Sequence, residues 1–316
     1  MDEIDRRILI ALDKEPRASN SRIAKACRVS KDVVGYRITK LKEEGILTNF
    51  YALPAMGKLG GKFYKFLLKF HSLGTEKEKE LVEWMHNHRH TAWVGSCDGN
   101  WNMIATLSVN NLQELSSLMK DTYKKYGKLI SKKELLVTTS VSMFNEKYLY
   151  PKGEFVFDRH FELFEEPASI DEKDKIIISQ LSADARQSII SIAKKIKLTP
   201  EATAKRMKNL LKRGIIIGYK PRISFTKLGY EYFHVFVSAK TPDFAKEIMN
   251  FYKQHPECVS ILEHLGRYDM HLEFVVKSTQ RFREVLKELR NKFGDKIHEY
   301  EPLQIYSEYK IKALSS

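Results

Sequence analysis

The chain of 316 residues is 43% hydrophobic and 30% charged, long enough for two or three domains with their own cores, and this excludes a disordered tail. Lys and Arg number 54 against 40 Asp and Glu, and the net charge of +14 favours a polyanionic partner such as nucleic acid or an anionic membrane surface. The longest apolar runs, such as Ile215-Ile216-Ile217, fall far short of the ~20 residues of a membrane span, and Met1-Asp2-Glu3-Ile4-Asp5-Arg6-Arg7 lacks the pattern of a secretory signal, so a cytoplasmic protein without membrane association is expected.

Taken in chain order, Ile4, Ile8, Leu9 and Leu12 follow helical spacing and predict a first helix. Ser19 can cap a second over Ile23, Ala24 and Ala26, with a turn near Arg28-Val29. Ser30 can cap a third through Val33, Val34, Ile38 and Leu41, which Gly45 is placed to end. The β-prone segment 46–52 precedes Gly57, Gly60 and Gly61 and predicts a short hairpin or wing. A strand over 63–70, a helix over 76–88, a hairpin of 92–94 with 103–109, a helix over 112–126 and a strand over 135–142 follow. Their order, β-α-β-β-α-β, is the ferredoxin-like split motif.

The same series then recurs. At a constant offset of 169, Asp5 falls on Asp174, Arg17 on Arg186, Ile23-Ala24-Lys25 on Ile192-Ala193-Lys194, Arg37 on Arg206 and Gly45-Ile46 on Gly214-Ile215. At an offset of 167, Gly99-Asn100-Trp101-Asn102-Met103 falls on Gly266-Arg267-Tyr268-Asp269-Met270. The second set of strands and helices is expected over 232–239, 242–254, 259–263, 271–276, 280–293 and 303–309. The fold class is therefore α+β, a tandem repeat of two helical units (1–57 and 171–224) and two ferredoxin-like units (58–145 and 225–316). The linker, 146–170, carries Phe155, Phe157, Phe161 and Phe164, aromatics that predict packing rather than a free tether. Cys27, Cys97 and Cys258 lie far apart without a Cys-x-x-Cys pair, which predicts reduced structural thiols.

The third helix offers Ser30, Lys31, Asp32, Gly35, Tyr36, Arg37 and Lys40, small and polar groups for base edges with cations for phosphates. Its counterpart offers Thr199, Glu201, Lys205, Arg206 and Lys208. One basic helix is usually a solvated face, but 2–51 holds 11 basic against 8 acidic residues and 171–222 holds 13 against 5, so the helical units carry most of the net charge. Asp5-Arg6-Arg7-Ile8-Leu9, Ile23-Ala24 and the run from Val33-Val34-Gly35-Tyr36-Arg37 to Gly45-Ile46 resemble the winged helix-turn-helix of prokaryotic Lrp/AsnC transcriptional regulators, and the β-α-β-β-α-β units resemble their RAM effector domains. The resemblance covers nearly the whole chain twice. It implies double-stranded DNA as partner, Arg37 and Arg206 among the DNA contacts, an intrachain pseudo-dimer with further homo-oligomers, and no catalytic residue. Tyr36 facing Lys205 in the self-alignment implies an asymmetric DNA site.

The resemblance further implies an effector such as an amino acid near a Gly-x-x-Asp turn, which Gly266-Arg267-Tyr268-Asp269 matches and Gly99-Asn100-Trp101-Asn102 matches without its acid. Gly99, Trp101, Asn102, Gly266, Tyr268 and Asp269 are the expected ligand residues. A Gly-x-x-Asp turn by itself is more often an ordinary hairpin turn. His86, His88 and His90 read as cationic residues at a helix C-terminus, and neither a metal nor a cofactor is expected. Two alternatives stand beside the regulator: an enzyme similar to siroheme decarboxylases, which resemble the same family and pair two related halves, and an effector-independent architectural DNA-binding protein.

Overall fold

The computed structural model describes residues 1–71, 75–151 and 158–309. Helix α1 (Glu3–Lys14) opens with a capping box, in which the Asp2 carboxylate accepts the Asp5 N–H at 2.9 Å and Asp5 accepts the Asp2 N–H at 3.2 Å. Ser19 caps α2 (Asn20–Cys27) and Ser30 caps α3 (Lys31–Glu43). The turn between them places Arg28 in the left-handed region. Helices α6 (Glu172–Ala183), α7 (Ile189–Ile196) and α8 (Pro200–Lys212) repeat this with caps Asp171, Ser188 and Thr199, and Lys197 stands where Arg28 stood, with the same φ of 53°. Each trihelical head closes over its own apolar set, Ile8, Leu12, Ile23, Val34, Ile38 and Leu41 in one and Ile177, Leu181, Ile192, Met207 and Leu210 in the other.

Where a short hairpin or wing was expected after the third helix, the strand instead finds a distant partner. Strand β1 (Leu47–Pro54) does not fold back as a hairpin; it pairs antiparallel with β7 (Ile216–Ile223), the same segment of the second copy, with Phe50 opposite Pro221 and Tyr51 opposite Lys220. After Pro54 a single turn at Gly57–Leu59 carries the chain directly into the next strand, so nothing local covers the β1 edge, and the duplicate strand satisfies it. The exchange stitches the heads together. Ala52 lies in the core of the second head and Ile223 in that of the first, while Arg17 and its equivalent Arg186 each reach across, to the carbonyls of Ala185 and Ala18 respectively.

Below the heads, β2 (Lys62–Phe70), α4 (Thr75–Asn87), β3 (Thr91–Asp98), β4 (Met103–Val109), α5 (Leu112–Tyr126) and β5 (Ile130–Phe144) form the first ferredoxin-like unit. The second consists of β8 (Glu231–Ala239), α9 (Pro242–Lys253), β9 (Cys258–Leu265), β10 (Met270–Val276), α10 (Thr279–Phe293) and β11 (Ile297–Tyr309). Within each unit the first strand is central, and its outer strands meet those of the other unit: β3 pairs with β11 and β5 with β9. Since β2 also pairs with β5, the eight strands close into a barrel with no free edge.

The period-2 alternation then sorts the side chains. Tyr64, Phe66, Leu68 and Leu107 point outward beneath α4 and α5, as Phe233, Val235, Leu272 and Phe274 do beneath α9 and α10. Leu67, Ile104, Leu136, Phe236, Val275 and Leu303 fill the lumen. At about 1.5–3 kcal/mol for each large side chain removed from water, the lumen layer supplies the drive for pairing the units.

The linker packs rather than running free: part of it is a strand, β6 (Asp158–Glu162), which adds to β5, and a turn at Lys147–Leu149 packs beneath α1. There Asp13, fully buried, accepts from Asn145 Nδ2 and Tyr150 Oη at 2.7 Å and from the Glu146 N–H at 3.0 Å, which fixes the first head on the barrel. Phe161 is buried and Phe164 exposed; Phe155 and Phe157 lie outside the described residues. Cys27, Cys97 and Cys258 are free, buried thiols, and burial first of all pushes Cys258 up to about 12.

Two glycines hold the seams. Gly99 (φ +136°) would place a Cβ 2.6 Å from Leu303 of β11, and Gly266 (φ +142°) would place one 2.8 Å from Leu136 of β5. Gly99→Ala and Gly266→Ala should each cost about 1–3 kcal/mol, read as a lower urea midpoint; unchanged midpoints contradict this packing.

Candidate nucleic-acid interface and barrel lumen

The twelve residues expected at DNA fall into distinct environments. Lys31, Asp32, Tyr36 and Lys40 are exposed on α3, Tyr36 by 67%, and Glu201, Lys205 and Lys208 are exposed on α8. Val33, expected on the helix's apolar face, and Thr39 and Asn209, which the sequence did not single out, share this exposure. Ser30 and Thr199 are exposed, but their hydroxyl oxygens accept the Val33 and Ala202 N–H groups at 3.2 Å as helix caps. Gly35 is half-buried where α2 crosses, with Asn20 Nδ2 3.6 Å from where a Cβ would stand.

Arg37 and Arg206 are turned toward their own heads. The Arg37 guanidinium pairs with Asp2 and, at 3.1 Å, with Asp5; Arg206 pairs with Asp171 and Asp174, both at 2.8 Å. Asp5 and Asp174 are themselves buried. Each arginine thus ties the recognition helix to the N-terminus of the first helix. The Asp5 N–H and then the Arg37 guanidinium hold Asp2 below the usual carboxylate range; the Asp174 N–H, with Arg206, does the same for Asp171.

The residues expected at an effector are packed at the barrel seams. Trp101 and Tyr268, equivalent positions in the two copies, have 0% exposure and join the lumen core, and burial pushes Tyr268 up to about 12. Asn102 Oδ1 accepts the Phe70 N–H at 2.9 Å, and Asp269 Oδ2 accepts the Ala239 N–H at 2.7 Å. Amide and acid therefore do the same work in each copy, satisfying a backbone donor at the end of the central strand. Gly99 and Gly266 approach β11 and β5 as described above.

A cluster that the sequence did not signal lies inside the barrel. Residues 234 and 273 face each other across β8 and β10, and residue 271 is two positions along on the same face. Around Glu273 Oε1 stand His234 Nε2 at 3.9 Å, His271 Nε2 at 3.8 Å and Lys65 Nζ at 3.9 Å, while the Tyr232 hydroxyl donates to Oε2 at 2.8 Å. His264 stacks 6.0 Å from His271. Burial holds all three imidazoles well below their ordinary pKa, so they are neutral donors or acceptors at pH 7.

Between the lumen and the β1–β7 sheet lies a cavity of about 320 Å³, lined by Tyr51, Glu146, Lys220, Tyr232, Glu273 and Glu308 among others. Lys220 is paired with Glu146 at 2.8 Å, and Glu308, pushed up by burial, accepts from the Trp93 indole at 2.9 Å. The histidines that the sequence displayed together are partly engaged elsewhere: His90 faces Glu114 at 3.7 Å, and His88 Nδ1 accepts the His90 N–H at 3.2 Å.

A family of winged helix-turn-helix DNA-binding segments matches residues 1–48 and again 170–217. Over 61 residues, 19% of this chain and 43% of the relative, the chain is 52% identical to the HTH-type transcriptional regulator LrpA of Pyrococcus horikoshii, so it spans less than half the length of that protein. It is 32% identical to the transcriptional regulator AzlB of Bacillus subtilis over 121 residues, 36% of this chain and 74% of AzlB. Among solved structures, the siroheme decarboxylase NirDL shares the whole arrangement, with a TM-score of 0.66 over 99% of this chain and 95% of that one, at 16% identity. That likeness concerns the fold. No helix among the described residues is long and apolar enough to cross a membrane.

The arginine clamps have a pH signature. Carboxylates held below their ordinary value contribute stability that is present above about pH 4 and is lost as pH falls through their folded values. Arg37→Ala combined with Arg206→Ala should therefore lower the melting temperature near neutral pH, and the gap to wild type should narrow as the pH falls from about 5 to about 2. A gap that does not change with pH contradicts the clamp.

Proposed function

We propose, for a chain that belongs to the Lrp/AsnC family of transcriptional regulators, that it binds double-stranded DNA with α3 and α8 as a pair of recognition helices held by one polypeptide. The observation that carries this is the exposure of Lys31, Tyr36 and Lys40 on one helix and Lys205 and Lys208 on the other, in heads joined through one shared sheet. Lysines on such faces meet phosphates, and the side chains between them meet base edges. Tyr36 on one helix and Lys205 on the other favour two unlike half-sites. Arg37 and Arg206 act in this reading by holding the recognition helices against the heads. One chain supplies both heads, so the reading needs no second copy.

The regulatory part of the proposal is a small effector such as an amino acid. The cavity between the β1–β7 sheet and the barrel supports it better than the Gly99 and Gly266 turns do. Its walls carry both signs of charge and belong both to the shared sheet and to the barrel, so an occupant would bear on how the heads sit. A siroheme decarboxylase-like enzyme is the second reading, favoured by the likeness to NirDL across the whole chain. The solved co-complex of that enzyme holds an iron-uroporphyrin III analogue, a large polyanion. Here the cavity is about 320 Å³ and its walls include three carboxylates, Glu146, Glu273 and Glu308, which suits such a ligand poorly. We therefore assign no reaction.

Anisotropy titration with random genomic duplexes at two salt concentrations tests the reading. Wild type should bind with a Kd below about 1 µM in low salt, and Lys40→Ala and Lys208→Ala should each weaken binding and lower the salt slope by about 1 without changing the melting temperature. Absence of salt-dependent binding, or variants indistinguishable from wild type, contradicts it.

A further inference from the structure

We propose that the barrel lumen is a binding site for a divalent transition-metal ion, with His234, His271 and Glu273 as its protein ligands. Their candidate donor atoms all lie within 4.8 Å of one another. Donors about 2.1 Å from one tetrahedral ion stand roughly 3.4 Å apart. The 3.8 and 3.9 Å from the two imidazoles to Glu273 Oε1 close onto an ion with adjustments of a few tenths of an ångström, and the two imidazoles, whose donor atoms lie within 4.8 Å of each other, close with rotamer shifts of about an ångström. The ligands sit on two paired strands of a closed barrel, which fixes their separation in advance.

Three further observations point to a ligand. Both ring nitrogens of His234 and His271 are without a hydrogen-bond partner, although both residues are fully buried, and His264 beside them is in the same condition. Groups so buried ordinarily have partners, and a neutral imidazole is an established donor to zinc, cobalt or nickel. The Tyr232 hydroxyl holds Glu273 Oε2 at 2.8 Å, an outer contact that orients the carboxylate and leaves Oε1 to face the imidazoles. Glu273 also lines the cavity, where Glu146 and Glu308 add carboxylates along the approach. Two nitrogens and one oxygen select a borderline cation over magnesium or calcium, and three protein ligands leave one position of four for water or a small molecule. The Lys65 ammonium, 3.9 Å from the same Glu273 oxygen, competes with the ion for that carboxylate. This inference stands on the lumen alone and is independent of DNA binding.

The full chain, stripped with a chelator, is titrated with Co²⁺ while its visible absorption is followed, and Zn²⁺ is then added in competition. The expected result is one Co²⁺ per chain with intense tetrahedral-type bands that Zn²⁺ abolishes. His271→Gln and Glu273→Gln should weaken binding at least tenfold, and His86→Ala with His90→Ala should leave it unchanged. Lys65→Met keeps all three ligands and removes the competing charge, so it should tighten Co²⁺ binding at least tenfold; this variant decides the matter if His271→Gln folds poorly. No bound Co²⁺ at one equivalent, binding that follows His86 and His90 instead, or a Lys65→Met chain that binds no more tightly overturns the site.

Discussion

The structure depends on the edges of two four-stranded sheets. Each ferredoxin-like unit ends in two strands whose outer backbone groups are unpaired, β3 and β5 in the first and β9 and β11 in the second, and each presents an apolar inner face. Neither condition is tolerable alone, because open edges invite aggregation and an uncovered apolar face loses its burial. The duplicate unit in the same chain resolves both at once by pairing β3 with β11 and β5 with β9. The cost of bringing the partners together is limited to closing one loop, which grows slowly with length.

The same solution is used again above the barrel. A lone β1 would be an edge; β7 covers it, and Ala52 of β1 and Ile223 of β7 enter the opposite head's core. The heads are thereby tethered to each other by backbone hydrogen bonds and to the barrel by buried groups such as Asp13. Arg37 and Arg206 pair with carboxylates of their own heads, and the exposed lysines of α3 and α8 stand beside them at the open face. Closing the barrel also carries chemistry inward: Lys65 of the first half meets His234, His271 and Glu273 of the second only because strands from both halves surround one lumen.

Local physics was legible in the sequence wherever it decides. Caps at Ser19 and Ser30, helical spacing and the offset of 169 located the heads, and 112–126 was read with the bounds that α5 has. The αL turn at Arg28 had no glycine to mark it, yet its repetition at Lys197 shows that one backbone solution serves both copies. What could not be read depends on distant partners. The 46–52 segment has the same composition in a hairpin or in a strand paired with β7. Arg37 is equally basic whether it faces DNA or Asp5. Strand β5 begins at Ile130, earlier than the expected 135, because Lys132 and Lys133 carry no apolar signal although their backbone pairs with β2. The lumen histidines sit on three strands, 234, 264 and 271, at no spacing that marks a site; only the knowledge that their positions face inward on alternate residues could have joined them.

Hydrogen exchange at the two seams tests most directly whether the halves close on each other within one chain. The amides of β3, β5, β9 and β11 that bridge the halves, around Cys97, Val141, Leu262 and Ile305, are to be followed over a hundredfold dilution. The account predicts slow exchange that is independent of protein concentration, since both partners belong to one molecule. Protection that falls with dilution, as for strands contributed by separate chains, would contradict it.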